Sequence, residues 1–164
     1  KIKNCYATGN VTAENTSLPG NGFVGGLVGR CSGLISKSYA SGNVTAKPGA
    51  NVEPSEGGIV GAVRDSGTVE DSYFDKSETG TGLDDAVDSI TDDSTVNNTK
   101  ALSTEQMQGT SPSPSDNDTM PELDFQSVWQ TVSSSDGDAT VDGYPILGML
   151  DRERQLDAQG ILDS

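Results

Sequence analysis

Apolar and polar positions alternate in short bursts along the first half of the chain, at the two-residue period of strands. In "LISKSYA" from Leu34, Ile35, Lys37 and Tyr39 share one parity while Ser36, Ser38 and Ala40 share the other, as a two-faced strand requires. "SGN" then breaks the alternation, with Gly42 free to re-aim the chain, before "VTA" resumes it. The burst recurs. "NCYATGNVTA" from Asn4 matches "KSYASGNVTA" from Lys37, and "DSYFDKSETG" from Asp71 repeats it in decayed form, so that Tyr6, Tyr39 and Tyr73 stand 33 and 34 positions apart. A second phrase, "GGLVG" at 25–29 and "GGIVG" at 57–61, keeps the register. Periods of this length mark units that bury their apolar faces only against neighbouring copies. The pattern therefore predicts an all-β fold, a β-solenoid (β-helix-like) with Leu27 over Ile59, Val11 under Val44 and the three tyrosines in one ladder. A β-sandwich of unrelated short strands would leave the agreement of 6–13 with 39–46 unexplained.

The pattern changes after residue 75. Residues 76–122 are mostly Asp, Ser, Thr, Gly and Asn, a composition that predicts acidic loops and an array that ends at the decayed third copy. One helical signal interrupts them: in "STEQMQG" Ser103 can cap, Gln106 can answer it three residues later, and Gly109 can stop the turn. Apolar residues return in 123–164, where Phe125, Trp129 and Tyr144 are the expected anchors of an irregular acidic C-terminal cap over the open solenoid end, with Leu123, Val128, Ile146, Leu147 and Leu150 around them. A lone Trp in such company reads as core before it reads as a sugar platform. Leu156 and Ile161, in the polar tail, are expected to close the cap or to reach a neighbouring molecule by strand addition.

The pairing of "GGLVG" with "NCYATGNVT" resembles the GLUG repeat, named for its glycine, leucine, hydrophobic, glycine signature. Two clear units and one truncated unit carry the resemblance across about residues 1–75. It implies a secreted or cell-surface setting, since such repeats occur in large bacterial and archaeal surface proteins, including adhesins and the non-catalytic region of immunoglobulin A peptidases. Beyond the repeats, "TEQMQG", the Phe125-to-Trp129 phrase "FQSVW" and "GYPIL" occur in the order seen in tails of halophilic archaeal surface proteins, which the second half resembles. The resemblance implies a terminating cap and no added activity.

Composition narrows the function. Only 32% of residues are apolar and 5% aromatic, and the net charge is −15. Residues 1–74 balance six acids against six bases; in 75–164, 19 acids face only Lys76, Lys100, Arg152 and Arg154. Such a surface repels nucleic acid and anionic lipid, and it suits a protein kept soluble in concentrated salt. Histidine is absent from the sequence, which removes the usual base and metal ligand and leaves no Ser-His-Asp or Cys-His nucleophile in this chain. Arg30 and Arg64 follow successive glycine phrases and read as exposed turn residues before they read as a stacked catalytic pair. Cys5 and Cys31 can form a disulfide, as an extracellular chain would, or remain two thiols. Sequons at Asn10, Asn15, Asn43, Asn97 and Asn117 are candidate N-glycosylation sites. In "DGDATVDG", Asp136, Asp138 and Asp142 make a weak calcium candidate that lacks the spacing and terminal Glu of an EF-hand.

No apolar run reaches the length of a membrane-spanning helix, so no membrane insertion is expected in this chain. It opens in mid-repeat, as a segment of a longer or processed protein would. The expectation is a non-enzymatic extracellular structural or adhesive module without cofactor, self-associating or meeting other surface proteins. The rival readings are a glycan- or host-surface-binding module, a viral fibre among them, and an accessory region of a larger secreted enzyme.

Overall fold

The structure is a computed structural model that describes residues 1–14, 22–47, 54–77 and 82–162. The chain divides into two compact units, residues 1–102 and residues 103–164. The first unit is built almost wholly on strands and the second on a strand hairpin with two short helices, and the fold is all-β in class.

The first unit is a set of short parallel strands laid down in successive passes. The first pass carries β1 (Ile2–Lys3), β2 (Tyr6–Ala7) and β3 (Val11–Glu14). The second carries β4 (Phe23–Gly25), β5 (Val28–Cys31), β6 (Leu34–Ser36), β7 (Tyr39–Ala40) and β8 (Val44–Lys47). The third carries β9 (Ser55–Gly57), β10 (Val60–Val63) and β11 (Thr68–Asp75), and the fourth β12 (Val87–Ile90) and β13 (Thr95–Leu102). The strands pair in parallel, and at several positions like meets like. Tyr6 registers with Tyr39 and Tyr39 with Tyr73, Val11 with Val44, and Ile2 with Ile35, which in turn registers with Val69.

Burial does not simply alternate: all four residues of β10 and the last four of β11 are buried. Ile35, Val60, Val63, Val69 and Phe74 are fully buried and, with Ile59 and Cys31, form one apolar cluster against which Ile2, Leu27, Val87 and Val96 pack. Burying a Val, Ile or Phe contributes roughly 1.5–3 kcal/mol each, and no single pass holds enough of them to close a core alone. The glycine phrase serves this closeness: a Cβ on Gly58 would lie 2.3 Å from a ring carbon of Phe74.

The pairing does not end at residue 75. β12 lies on β10, with Val60 opposite Val87, and β13 runs the full length of β11, with Thr68 opposite Thr95 and Asp75 opposite Leu102. The acidic stretch expected to be loop thus supplies a fourth pass. Its offset is 27 positions instead of 32 to 34, and among the described residues no strand of this pass pairs with β8 or β9. Backbone pairing tolerates polar side chains on an outward face, which is why a composition poor in apolar residues still enters the ladder.

The second unit is built on an antiparallel hairpin, β14 (Trp129–Val132) with β15 (Gly143–Leu147), and two helices, α1 (Thr104–Met107) and α2 (Arg152–Gln159). α1 carries the anticipated capping box: Ser103 and Gln106 answer each other across the first turn, and Gly109 follows at φ 62°. Val132, Ala139, Ile146, Leu156 and Ile161 make the unit's apolar cluster. The polar tail is therefore neither an extended edge nor a free strand: α2 folds Leu156 and Ile161 back into this cluster. Leu150, counted among the apolar anchors by sequence, is 53% exposed in the turn after β15.

Candidate functional site

Two arrangements give the molecule its chemistry, one in each unit. In the first unit each pass turns at a residue with a left-handed backbone, between β1 and β2 and between β6 and β7 in the first two passes and within β11 and β13 in the next two. Asn4, Lys37, Asp71 and Asn98 have φ of 52°, 49°, 50° and 50°. Asparagine and aspartate tolerate this region better than other residues, which suits three of the four positions. The following residue, Cys5, Ser38 or Ser72, knits the passes together. Ser72 Oγ donates to Glu70 O at 2.8 Å and accepts the Ser38 backbone N–H at 3.3 Å; Ser38 Oγ donates to Ser36 O at 2.9 Å and accepts the Cys5 N–H at 3.2 Å. Each hydroxyl satisfies a backbone donor that the turn withdraws from the strand ladder.

Next along the chain comes the aromatic ladder. Tyr6 and Tyr39 are stacked with centroids 5.4 Å apart, Tyr39 and Tyr73 are wholly buried, and Lys100 takes the fourth place with its ammonium 5.7 Å from the Tyr73 ring centroid. Partial burial raises the Tyr6 phenol above its ordinary pKa.

These corners decide the fate of the cysteines. The disulfide expected between Cys5 and Cys31 is not formed. Cys5 is exposed and occupies the serine place in the corner ladder, its Sγ directed at Lys3 O as Ser38 Oγ is directed at Ser36 O. Cys31 is buried in β5, opposite Val63, in an apolar ladder that ends at Ile90. Each thiol thus stands in for a residue of different chemistry in the neighbouring pass. Arg30 and Arg64 do not stack either: Arg30 registers with Ala62 and bridges to Asp65 at 2.8 Å, while Arg64 reaches Ser89 at 2.7 Å and lies over the Phe23 ring.

The sequons scatter. Asn10 and Asn43 share a ladder position, where Asn10 Oδ1 accepts the Asn43 backbone N–H at 2.9 Å. Asn97 is exposed within β13 opposite Glu70, Asn117 is exposed in a turn, and Asn15 lies outside the described residues.

In the second unit the hairpin loop is held open by a cationic clamp. Ser133 and Asp136 form a capping box around a single 3-10 turn, Ser134–Asp136, and Gly137 follows at φ 85°. Arg152, at the first turn of α2, then bridges the loop: its Nε donates to Asp138 at 2.6 Å and its Nη2 to Asp136 and Asp138 at 3.1 Å each. The guanidinium holds the Asp138 carboxyl below its ordinary pKa, and Asp138 in return raises Arg152. Asp142 is turned elsewhere, accepting the Ser134 N–H and hydroxyl at 2.8 and 3.1 Å. The three aspartates of the calcium candidate therefore do not converge: two face an arginine and the third a serine. Among the described residues no group of three or more His, Cys, Asp or Glu side chains is placed to hold a metal ion.

Beside this clamp lies a cleft of about 440 Å³, lined by Phe125, Trp129, Gln130, Asp136, Asp138 and Arg152 among others. Of the expected cap anchors, Trp129 is buried, registering with Leu147 across the hairpin, while Phe125 and Tyr144 are half-buried. The free side of β15 is closed by two side chains that sequence reasoning passed over. Gln155 bonds both the N–H and the C=O of Leu147, at 2.9 and 3.0 Å, and Gln159 does the same for Tyr144, at 2.9 and 3.1 Å. Their four-residue spacing places both amides on one helix face, which is the signal that could have found them. Arg152 was legible as one of only two arginines in an acidic second half.

No family model matches the chain, and no solved structure matches it. A curated protein of Evansella cellulosilytica, named "Putative Gly-rich membrane protein", is 40% identical over 83 residues, covering 48% of this chain. The chain corresponds to 9% of that protein's length.

Proposed function

We propose that the chain is a non-enzymatic extracellular or cell-surface module, structural or adhesive in role, whose first unit is a β-solenoid of GLUG type. The observation that carries this reading is the parallel, in-register pairing of like residues across successive passes, from Tyr6 through Tyr39 to Tyr73 and from Val28 through Val60 to Val87. A stack of this kind lengthens by adding passes without changing its cross-section, which suits a stalk or spacer that carries adhesive parts away from a surface. The match spans a small share of the Evansella protein, which is named a membrane protein, and this is compatible with one module of a longer membrane-associated chain. The acidic balance supports solubility in concentrated salt and argues against nucleic acid as a partner. Among the described residues no helix is long and apolar enough to cross a membrane.

The test is to label intact cells of the source organism with antibodies raised against the chain and to examine them by immunogold electron microscopy. Gold on the outer surface, removed by external protease, is the expected result. Label that appears only after permeabilisation would overturn the proposal. Light scattering on purified protein in high salt adds the assembly state, a linear series of oligomers being expected of a self-associating building block.

A further inference from the structure

The cleft beside Arg152 has no part in the stacking of the first unit. Its lining combines four chemical elements: the half-buried ring of Phe125, the amide of Gln130, the carboxylates of Asp136 and Asp138, and the guanidinium of Arg152. Its volume of about 440 Å³ lies within the usual range for small-molecule sites, roughly 300–1,000 Å³.

Charge selects among ligand classes. Two carboxylates outweigh one guanidinium in the cleft, within a chain of net charge −15, so a phosphate, sulfate or uronate would meet net repulsion. A metal ion is opposed as well, because the Arg152 guanidinium already lies between the two aspartates at 2.6–3.1 Å. A neutral polyhydroxylated molecule meets neither objection. Each of its hydroxyls both donates and accepts. The cleft offers acceptors in Asp136 and Asp138, whose side chains remain 41% exposed, and donors in Gln130 and Arg152. An aromatic ring supplies the apolar surface on which the C–H face of a pyranose rests.

The lining is also ordered before any ligand arrives. The capping box of Ser133 and Asp136, the Arg152 clamp and the glutamine-sealed β15 hold the loop against the hairpin, so binding costs little further ordering. We infer that this cleft is a binding site for a neutral mono- or disaccharide, with Phe125 as its apolar platform and Asp136, Asp138 and Gln130 as its hydroxyl partners.

Trp129 is the sole tryptophan of the chain and lines the cleft, so its emission reports occupancy directly. The experiment titrates the full chain with glucose, galactose, N-acetylglucosamine, cellobiose and maltose, with glucuronate as the charged comparison. At least one neutral sugar is expected to give a saturable change in emission at millimolar concentration. Phe125→Ala should weaken that binding by about tenfold, while Phe125→Tyr retains it. Gln130→Ala, a change at an exposed strand position, should weaken it severalfold and keeps the test valid if loss of Phe125 disturbs the fold. Absence of a saturable response to every neutral sugar would overturn the inference. So would binding that survives both Phe125→Ala and Gln130→Ala unchanged, or glucuronate binding as tightly as glucose.

Discussion

Single residues set the corners. Lys37 holds a left-handed backbone that its neighbours in the stack assign to Asn4, Asp71 and Asn98. Lys37→Asn is expected to raise stability by up to about 1 kcal/mol and Lys37→Val to lower it by about 1–2 kcal/mol, read as shifts in the denaturant midpoint. Ser72→Ala would strand the buried Ser38 N–H, costing about 1–3 kcal/mol. At Asp138 the prediction concerns pH. Arg152 lowers the folded pKa, so the stabilisation exists above the ordinary aspartate value of 3.8 and is lost only as pH falls below it, through the folded pKa. A carbon-13 carboxyl titration should place the Asp138 midpoint under 3.8, and Arg152→Gln should move it upward. An unchanged midpoint would remove Arg152 as the cause. At this scale the capping box of α1 was legible, because Ser103 and Gln106 interact within one turn; the partners of Cys5 and Arg152 were not, because they come from other passes or another element.

Elements are held by closeness that the same motif delivers unequally. Gly9 and Gly42 occupy matching places in the repeated phrase. A Cβ on Gly42 would lie 2.1 Å from Gly9 O, whereas one on Gly9 meets nothing within 4 Å. Gly42→Ala should therefore cost about 2–3 kcal/mol, a fall in Tm of several degrees, while Gly9→Ala changes stability by less than about 0.5 kcal/mol. Equal losses at the two sites would mean that contact between passes is not what the glycine serves. The fourth pass shows where periodicity stops being readable. "TVNNTKAL" repeats "TVEDSYFD" only in its Thr-Val start, and at an offset of 27 instead of 34. Once the pairing is known the correspondence is plain: Asn98 takes the corner and Lys100 the tyrosine place. Likewise α2 carries Leu156 alone of the large apolar residues, too little for an amphipathic pattern, and its glutamines do the work of strand edges.

The whole molecule is governed by charge distributed against its direction of folding. Residues 103–164 hold 12 acids against Arg152 and Arg154. Their mutual repulsion is screened as the Debye length falls from about 30 Å at 0.01 M to about 3 Å at 1 M salt. Thermal melts should show Tm rising with monovalent salt across this range, and a flat or falling Tm would mean that the acids are not a net strain on the fold. Leu156 and Ile161 are buried in their own unit and are not exposed to a neighbouring molecule.

The sequence by itself determined the strand period, the 33- and 34-residue register of the first three passes, the all-β class and the helix cap at Ser103, because each is written in short-range patterning or in repeats that must pair to be buried. Only the tertiary structure decided that the acidic stretch after residue 75 continues the ladder, that Cys5 stands in a serine place, and that Arg152 gathers Asp136 and Asp138 beside a cleft. Those outcomes depend on which backbone edge is left open and which charges are brought within hydrogen-bond reach, and distance in space is not encoded by distance along the chain.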